Sequence, residues 1–192
     1  MKKNINIFCL AALFAITLCA GKCSKDTNPE LPEQLPPITQ TGANTFGCLI
    51  NGKVWLPKGV DFQLPNMLAT VDPTLGNGDL SIRVYRIIGG ERTSMALLSG
   101  EIKAIGTYEI GTLKNVLYTI RRSKSDLSIQ YCSADNGWGS GNPNNVQGFL
   151  KITKYDLPNG ILSGEFEVSF NNTSCNMGDP VKITEGRFDF KL

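Results

Sequence analysis

From Ala43 to Leu192 the chain alternates apolar and polar residues in short runs broken by Gly, Pro and Asn. That is the pattern of half-buried strands joined by turns. Thr45 to Ile50 and Lys53 to Leu56 flank Asn51-Gly52, the pair that best tolerates the two positive φ values of a type I′ hairpin. Leu80, Ile82 and Val84 alternate with Ser81, Arg83 and Tyr85. Met95 to Ser99, Thr107 to Ile110, Val116 to Arg122 and Leu127 to Cys132 are further strand candidates. Val146 to Tyr155 leads through Leu157-Pro158-Asn159-Gly160 into Ile161 to Phe170. There Leu162, Gly164, Phe166, Val168 and Phe170 share one face, and Ser163, Glu165, Glu167 and Ser169 the other.

The last run, Val181 to Leu192, changes phase. Val181 and Ile183 have one parity, and Phe188, Phe190 and Leu192 have the other. A β-bulge near Glu185-Gly186 restores a common apolar face. A turn or two around Gly100 to Ile105 is the one place with a helical period. The predicted fold is all-β: an antiparallel β-sandwich or flattened barrel of about nine to eleven strands over residues 44–192.

The first 43 residues follow another logic. Lys2 and Lys3 precede an uncharged stretch from Ile5 to Gly21, too short and too interrupted for a spanning helix. A basic start before a short apolar core reads as a signal peptide over residues 1–22. Cys23, followed by Ser24, Lys25 and Asp26, resembles the lipidated cysteine of a bacterial lipoprotein, and Cys-Ser-Lys-Asp resembles the charged export signal of Bacteroidota surface lipoproteins. A lipobox carries a small residue before its cysteine, where this chain has Lys22; Cys19, after Leu18, fits no better. Simple secretion after Ala20 or Gly21 is the alternative, leaving a periplasmic or secreted protein. Residues 23–43 then read as lipid attachment and a Pro-rich tether. Pro29, Pro32, Pro36 and Pro37 favour an extended, unpacked segment reaching about 60 Å from a lipid head group.

Composition narrows the chemistry. Among 192 residues, 41% hydrophobic and 19% charged, there is no histidine. This excludes a Ser-His-Asp or Cys-His nucleophile pair, an imidazole zinc site and a histidine-ligated haem. Without residues 1–22, sixteen basic residues face seventeen acidic ones, a net of −1. Such a balance gives no electrostatic reason to expect nucleic acid. The motifs G-x-S-x-G, G-x-x-x-x-G-K-[ST] and S-x-x-K are absent from the sequence, and no cofactor is expected.

Three cysteines besides Cys23 follow the signal: Cys48, Cys132 and Cys175. Their spacing does not suggest zinc, and an exported protein keeps disulfides. Cys48 shares strand parity with Phe46 and Ile50, as a small buried hydrophobe would. Cys132 and Cys175 lie at strand ends or in polar segments, so a Cys132–Cys175 bridge is expected, stabilising by up to about 4 kcal/mol in the chain-entropy model. A bridge through Cys48 is the alternative.

Candidate sites are sparse. The segment Ser133 to Asn145 sets Trp138 between glycines in a polar loop, with Asp135 and Asn136 before it. A ring there can stack on a sugar while Asp and Asn side chains bond hydroxyls, or it can simply plug one end of the sandwich. A single carboxylate is too few for a calcium cage. Trp55, beside the hairpin, reads as core or rim. Glu165 and Glu167 point the same way from one strand, and paired carboxylates at about 5 to 10 Å can hydrolyse glycosides. On a polar strand face, solvated charges are the simpler account. Arg121-Arg122-Ser123-Lys124, answered by Asp126, reads as a turn, and Asn171-Asn172-Thr173 and Asn172-Thr173-Ser174 match glycosylation acceptors.

Several segments in order carry a resemblance. Thr45-Phe46-Gly47-Cys48-Leu49-Ile50-Asn51-Gly52-Lys53-Val54-Trp55, Gly106-Thr107-Tyr108, Ile161 to Phe166 and Ile183-Thr184-Glu185-Gly186-Arg187-Phe188-Asp189 are similar to signatures of a group of uncharacterised Bacteroidota lipoproteins. The resemblance implies a lipid-anchored outer-membrane or surface lipoprotein with a β-rich domain, and it brings no catalytic residues. The expected function is a non-catalytic binding module for a glycan, peptide or partner protein, held at the membrane by its N-terminal lipid. A carboxylate-dependent glycan hydrolase and a purely structural envelope protein are the alternatives.

Overall fold

The structure is a computed structural model. It describes residues 32–76, 78–110, 116–123, 129–136, 146–170 and 180–192, with 116–120, 122 and 129–136 described by their backbone. Eleven strands run in chain order: β1 Thr45–Ile50, β2 Lys53–Trp55, β3 Met67–Asp72, β4 Asp79–Ile88, β5 Glu91–Ser99, β6 Gly106–Glu109, β7 Val116–Ser123, β8 Ile129–Asn136, β9 Val146–Asp156, β10 Ile161–Phe170 and β11 Val181–Lys191. They form a six-stranded sheet, β2-β1-β11-β10-β9-β6, and a five-stranded sheet, β3-β4-β5-β7-β8. Pairing within both is antiparallel. The all-β sandwich is therefore established, and the two sheets do not join into a closed barrel.

Local chemistry explains the framework. Asn51 and Gly52 take φ values of 48° and 77°, as the β1–β2 hairpin requires. The phase switch in β11 is resolved by an extra residue. Gly47 faces Arg187 and Leu49 faces Thr184, so two steps on β1 span three on β11. The same offset recurs against β10, where Phe166 faces Gly186 and Val168 faces Ile183. Glu185 takes a φ of 51° at this bulge, and Val181, Ile183, Phe188 and Phe190 all turn inward. Gly186 is required there, because a Cβ would lie 2.5 Å from the Phe166 carbonyl oxygen.

The core joins both sheets, with Leu80, Ile82, Met95 and Leu97 from one and Phe46, Leu150, Leu162 and Phe166 from the other. An aromatic row crosses the six-stranded sheet: Phe46 contacts Trp55 edge-on at 6.0 Å and Phe166 at 5.4 Å, and Phe188 follows at 6.4 Å. Trp55 is core, and Cys48 is a fully buried free thiol whose pKa burial pushes up to about 12.

Four expectations are corrected. Residues 100–105 form no helical turn; the chain bends so that Ile102 enters the core, its N–H bonded to the Gly78 carbonyl at 3.1 Å. Arg121 to Ser123 are not a turn but the end of β7. Leu192 is 40% exposed rather than inward. The largest change concerns the tether, because the folded unit begins at Glu33, not at residue 44. Residues 33–43 form neither strand nor helix, and they are fastened at both ends.

Glu33 binds Arg86 on β4 through two hydrogen bonds of 2.8 and 3.0 Å, with Lys58 at 3.6 Å. The hydrogen bond from Arg86, opposed by burial and assisted by the charges of Arg86 and Lys58, holds the Glu33 carboxyl below its ordinary range. At the other end Asp189 on β11 accepts from Thr39 Oγ1 (2.7 Å), Thr41 N (2.9 Å), Gly42 N (2.8 Å) and Ala43 N (3.2 Å). Ser163 Oγ on β10 adds a bond of 2.7 Å. The strap thus ties one strand of each sheet. Prolines do not prevent this, since such a segment needs only side-chain and carbonyl partners where it cannot donate.

Candidate functional site

Most residues singled out from the sequence are dispersed or fall outside the described residues. Asp135 and Asn136 end β8, opposite Leu117 and Val116. Trp138, the loop 137–145, Cys23 and Cys175 lie outside the described residues, as do both glycosylation matches. Cys132 sits on β8 opposite Ile120, with its side chain outside the description, so the Cys132–Cys175 bridge is not among the described contacts. Glu165 and Glu167 occupy the outer face of β10, where Glu165 is paired with Lys151 at 3.1 Å. Among the described residues, no three His, Cys, Asp or Glu side chains converge as a metal site would require.

A different place brings chemistry together: the outer face of the five-stranded sheet beside the loop 59–66. Antiparallel register builds it row by row. Leu68 on β3 faces Arg83 on β4, and Arg83 faces Ala96 on β5. One step along, Tyr85 faces Ser94, and Ser94 faces Arg121 on β7. Alternation within β4 sends Leu80, Ile82 and Val84 into the core, which forces Arg83 and Tyr85 outward. With Leu64 and Pro65 as one wall, these rows enclose a groove of ≈ 280 Å³.

The loop is tied to Tyr85, which is 4% exposed although it points away from the core. Asp61 N–H donates to the Tyr85 hydroxyl at 2.8 Å, and that hydroxyl donates to the Leu64 carbonyl at 2.8 Å. The Tyr85 N–H bonds the Asn66 carbonyl at 2.9 Å. The Arg92 guanidinium lies over the ring, 4.1 Å from its centroid, and pairs with Asp61. The backbone N–H of Gln63 and then Arg92 hold the Asp61 carboxyl below its ordinary range.

Tyr85→Phe removes one donor and one acceptor at the loop's base. It is expected to cost about 1–2 kcal/mol and to speed amide exchange at Asp61. Unchanged exchange there would mean that the Arg92–Asp61 pair alone holds the loop.

Arg83 and Arg121 are differently placed. Arg83 donates to Ser81 Oγ at 3.3 Å, and among the described residues no carboxylate pairs with either arginine. Beside them stand Leu64 and Leu68, 56% and 41% exposed. Among the described residues the groove therefore offers two guanidinium groups without a carboxylate partner next to an apolar wall, and no nucleophile–base pair. The sequence placed Arg83 on the polar side of a strand, but only the cross-strand register brings it beside Arg121 and Leu68.

No family model, curated protein or solved structure matches the chain, so its functional reading rests on its own residues and geometry.

Proposed function

We propose that this protein is a lipid-anchored component of the bacterial cell envelope whose β-sandwich is a non-catalytic binding module for a glycan, peptide or partner protein. The observation that carries the reading is the groove on the five-stranded sheet, with its exposed leucines and two guanidinium groups that no described carboxylate neutralises. Arginines beside apolar surface are the composition of recognition sites rather than of idle surface. The basic, apolar N-terminal stretch and Cys23, read as a signal and a lipidated cysteine, support the address. The hydrolase alternative gains nothing from Glu165, which Lys151 already engages on an outer sheet face.

A thermal-shift screen of residues 24–192 against glycans, lipids, peptides and divalent metals tests the module. A ligand at about 100 times its dissociation constant adds roughly 2.7 kcal/mol, which raises the melting point by several degrees. Silence across the whole panel, together with no partner in cross-linking on intact cells, would leave a structural role instead. The anchor is tested separately: Cys23→Ala should lose incorporation of labelled fatty acid and move the protein from the membrane to the soluble fraction.

A further inference from the structure

The groove has more definite chemistry than binding in general. Its length follows from strand order: Leu68, Arg83, Ser94 and Arg121 lie on β3, β4, β5 and β7, four neighbouring strands. Three inter-strand spacings make about 14 Å, the span of about four extended residues. Leu68 stands at the β3 end with Leu64 and Pro65 of the preceding loop, and Arg83 and Arg121 follow on β4 and β7. Arg92 closes the end near the loop, but its charge is already met by Asp61 and its plane covers Tyr85.

This last point separates the ligand classes. A sugar ring stacks on an exposed aromatic face, and among the described lining residues the one aromatic side chain, Tyr85, is 4% exposed beneath a guanidinium. Leucine side chains beside arginines that no described carboxylate neutralises instead suit a ligand alternating between apolar groups and carboxylates. Guanidinium groups bind carboxylates through two parallel hydrogen bonds.

We propose that the groove docks a short extended peptide segment of a partner protein, with acidic side chains on Arg83 and Arg121 and apolar ones against Leu64 and Leu68. This rests on the binding-module reading above and names its ligand class. Docking across the strands uses side chains, so it needs no strand addition at the β3 edge. Arg83 and Arg121 act as point anchors, and the leucines exclude water around them.

The test is selection of a displayed random heptapeptide library on the mature chain, followed by anisotropy titrations with the selected peptides. Selected sequences should pair Asp or Glu with Leu, Ile or Phe. Exchanging each Glu for Gln in the peptide should weaken binding by about tenfold, as should Arg83→Ala with Arg121→Ala in the protein. Both arginines stand on an outer face with no carboxylate partner among the described residues, so an unchanged melting point should accompany that loss. Arg121→Glu should turn the selection towards Lys and Arg.

Peptides that bind the double variant as tightly as the wild type would overturn the groove assignment while leaving a binding module. Polygalacturonate binding that depends on the arginines, with no peptide selected, would replace the peptide by an acidic glycan. If neither the library nor polygalacturonate binds, this assignment falls, and the module falls with it if the wider panel is also silent and cross-linking on intact cells finds no partner.

Discussion

Asp189→Asn is expected to lower the unfolding free energy by about 2–5 kcal/mol, because an isosteric amide cannot accept what this carboxylate accepts. Asp189 is 1% exposed, and both of its oxygens face donors. Oδ2 takes Thr39, Thr41 and Ala43, and Oδ1 takes Gly42 and Ser163. An asparagine must set its NH₂ against one of those groups, leaving buried N–H donors opposed to N–H donors. Burial by itself would raise the carboxyl's pKa, but the bonds from Thr39, Ser163, Thr41 and Gly42 overcome it and hold the group well below its ordinary 3.8.

The pH dependence follows from that direction. A depressed folded pKa means the stabilisation is complete above about pH 4 and fades as pH falls towards the folded value. By pH 3 the wild type should have lost about 1 kcal/mol of this contribution, narrowing its gap to the variant. Urea titrations at pH 7 and pH 3 measure both effects. The strap should also become a protease site in the variant, with cuts between Glu33 and Ala43. Equal urea midpoints for the two proteins at pH 7 would show that the strap contributes nothing to the fold.

Phe166→Ala should cost about 3–5 kcal/mol. In a domain of this size that corresponds to a melting point lower by roughly 6–20 °C. Phe166 has no exposed surface and stands between Phe46 and Phe188, at 5.4 and 6.4 Å. Its neighbour across the strand pair is Gly186, which has no side chain with which to fill the space. The surroundings therefore cannot collapse, and most of the cavity persists. Thermal unfolding at fixed protein concentration reads the change. A loss below about 1.5 kcal/mol would mean that the aromatic row repacks as freely as a volume-conserving swap. Peptide binding below the melting point should be preserved, since Phe166 belongs to the other sheet from the groove.

The strands were legible where one face is buried and the other wet. In β10 the alternation of Leu162, Phe166 and Val168 with Glu165 and Glu167 matches the burial along the strand. The one break is Ser163, buried because it serves Asp189. The bulge in β11 was legible as well, because burying two runs of opposite parity leaves no other geometry. β3 was not identified from the sequence. Its Met67, Ala69 and Val71 pack against the core, but Leu68 points outward and blurs the period over only six residues between Pro65 and Pro73. The residue types near Gly100 to Ile105 suit a helical turn, and the demand of the core for Ile102 overrode that local preference.

The groove and the strap were not legible for a common reason. Alternation tells which face of a strand a residue occupies, and it placed Arg83 outward. It does not tell which residue of another strand stands beside it. Arg83 and Arg121 become neighbours through β5, whose register with β4 and β7 is a property of the whole sheet. Asp189 lay in a run of aromatic residues as an isolated acid, and its six donor atoms, Thr41 Oγ1 at 3.3 Å included, come from β10 and a segment about 150 residues away in the chain. Proline content disfavours helix and strand in that segment, but whether such a segment is solvated or fastened depends on partners that local composition does not contain.

The sequence by itself determined the all-β class, the Asn51-Gly52 hairpin, the β11 bulge, the strand parity that Cys48 shares with Phe46, and the exclusion of histidine chemistry. Each of these follows from steric preference, period or composition within a few residues. Only the tertiary structure decided that the sandwich stays open, that residues 33–43 belong to the folded unit, and that arginines from two strands meet an apolar wall. Those outcomes depend on contacts between residues far apart in sequence, where cross-strand register and the satisfaction of a buried charge outweigh local propensity.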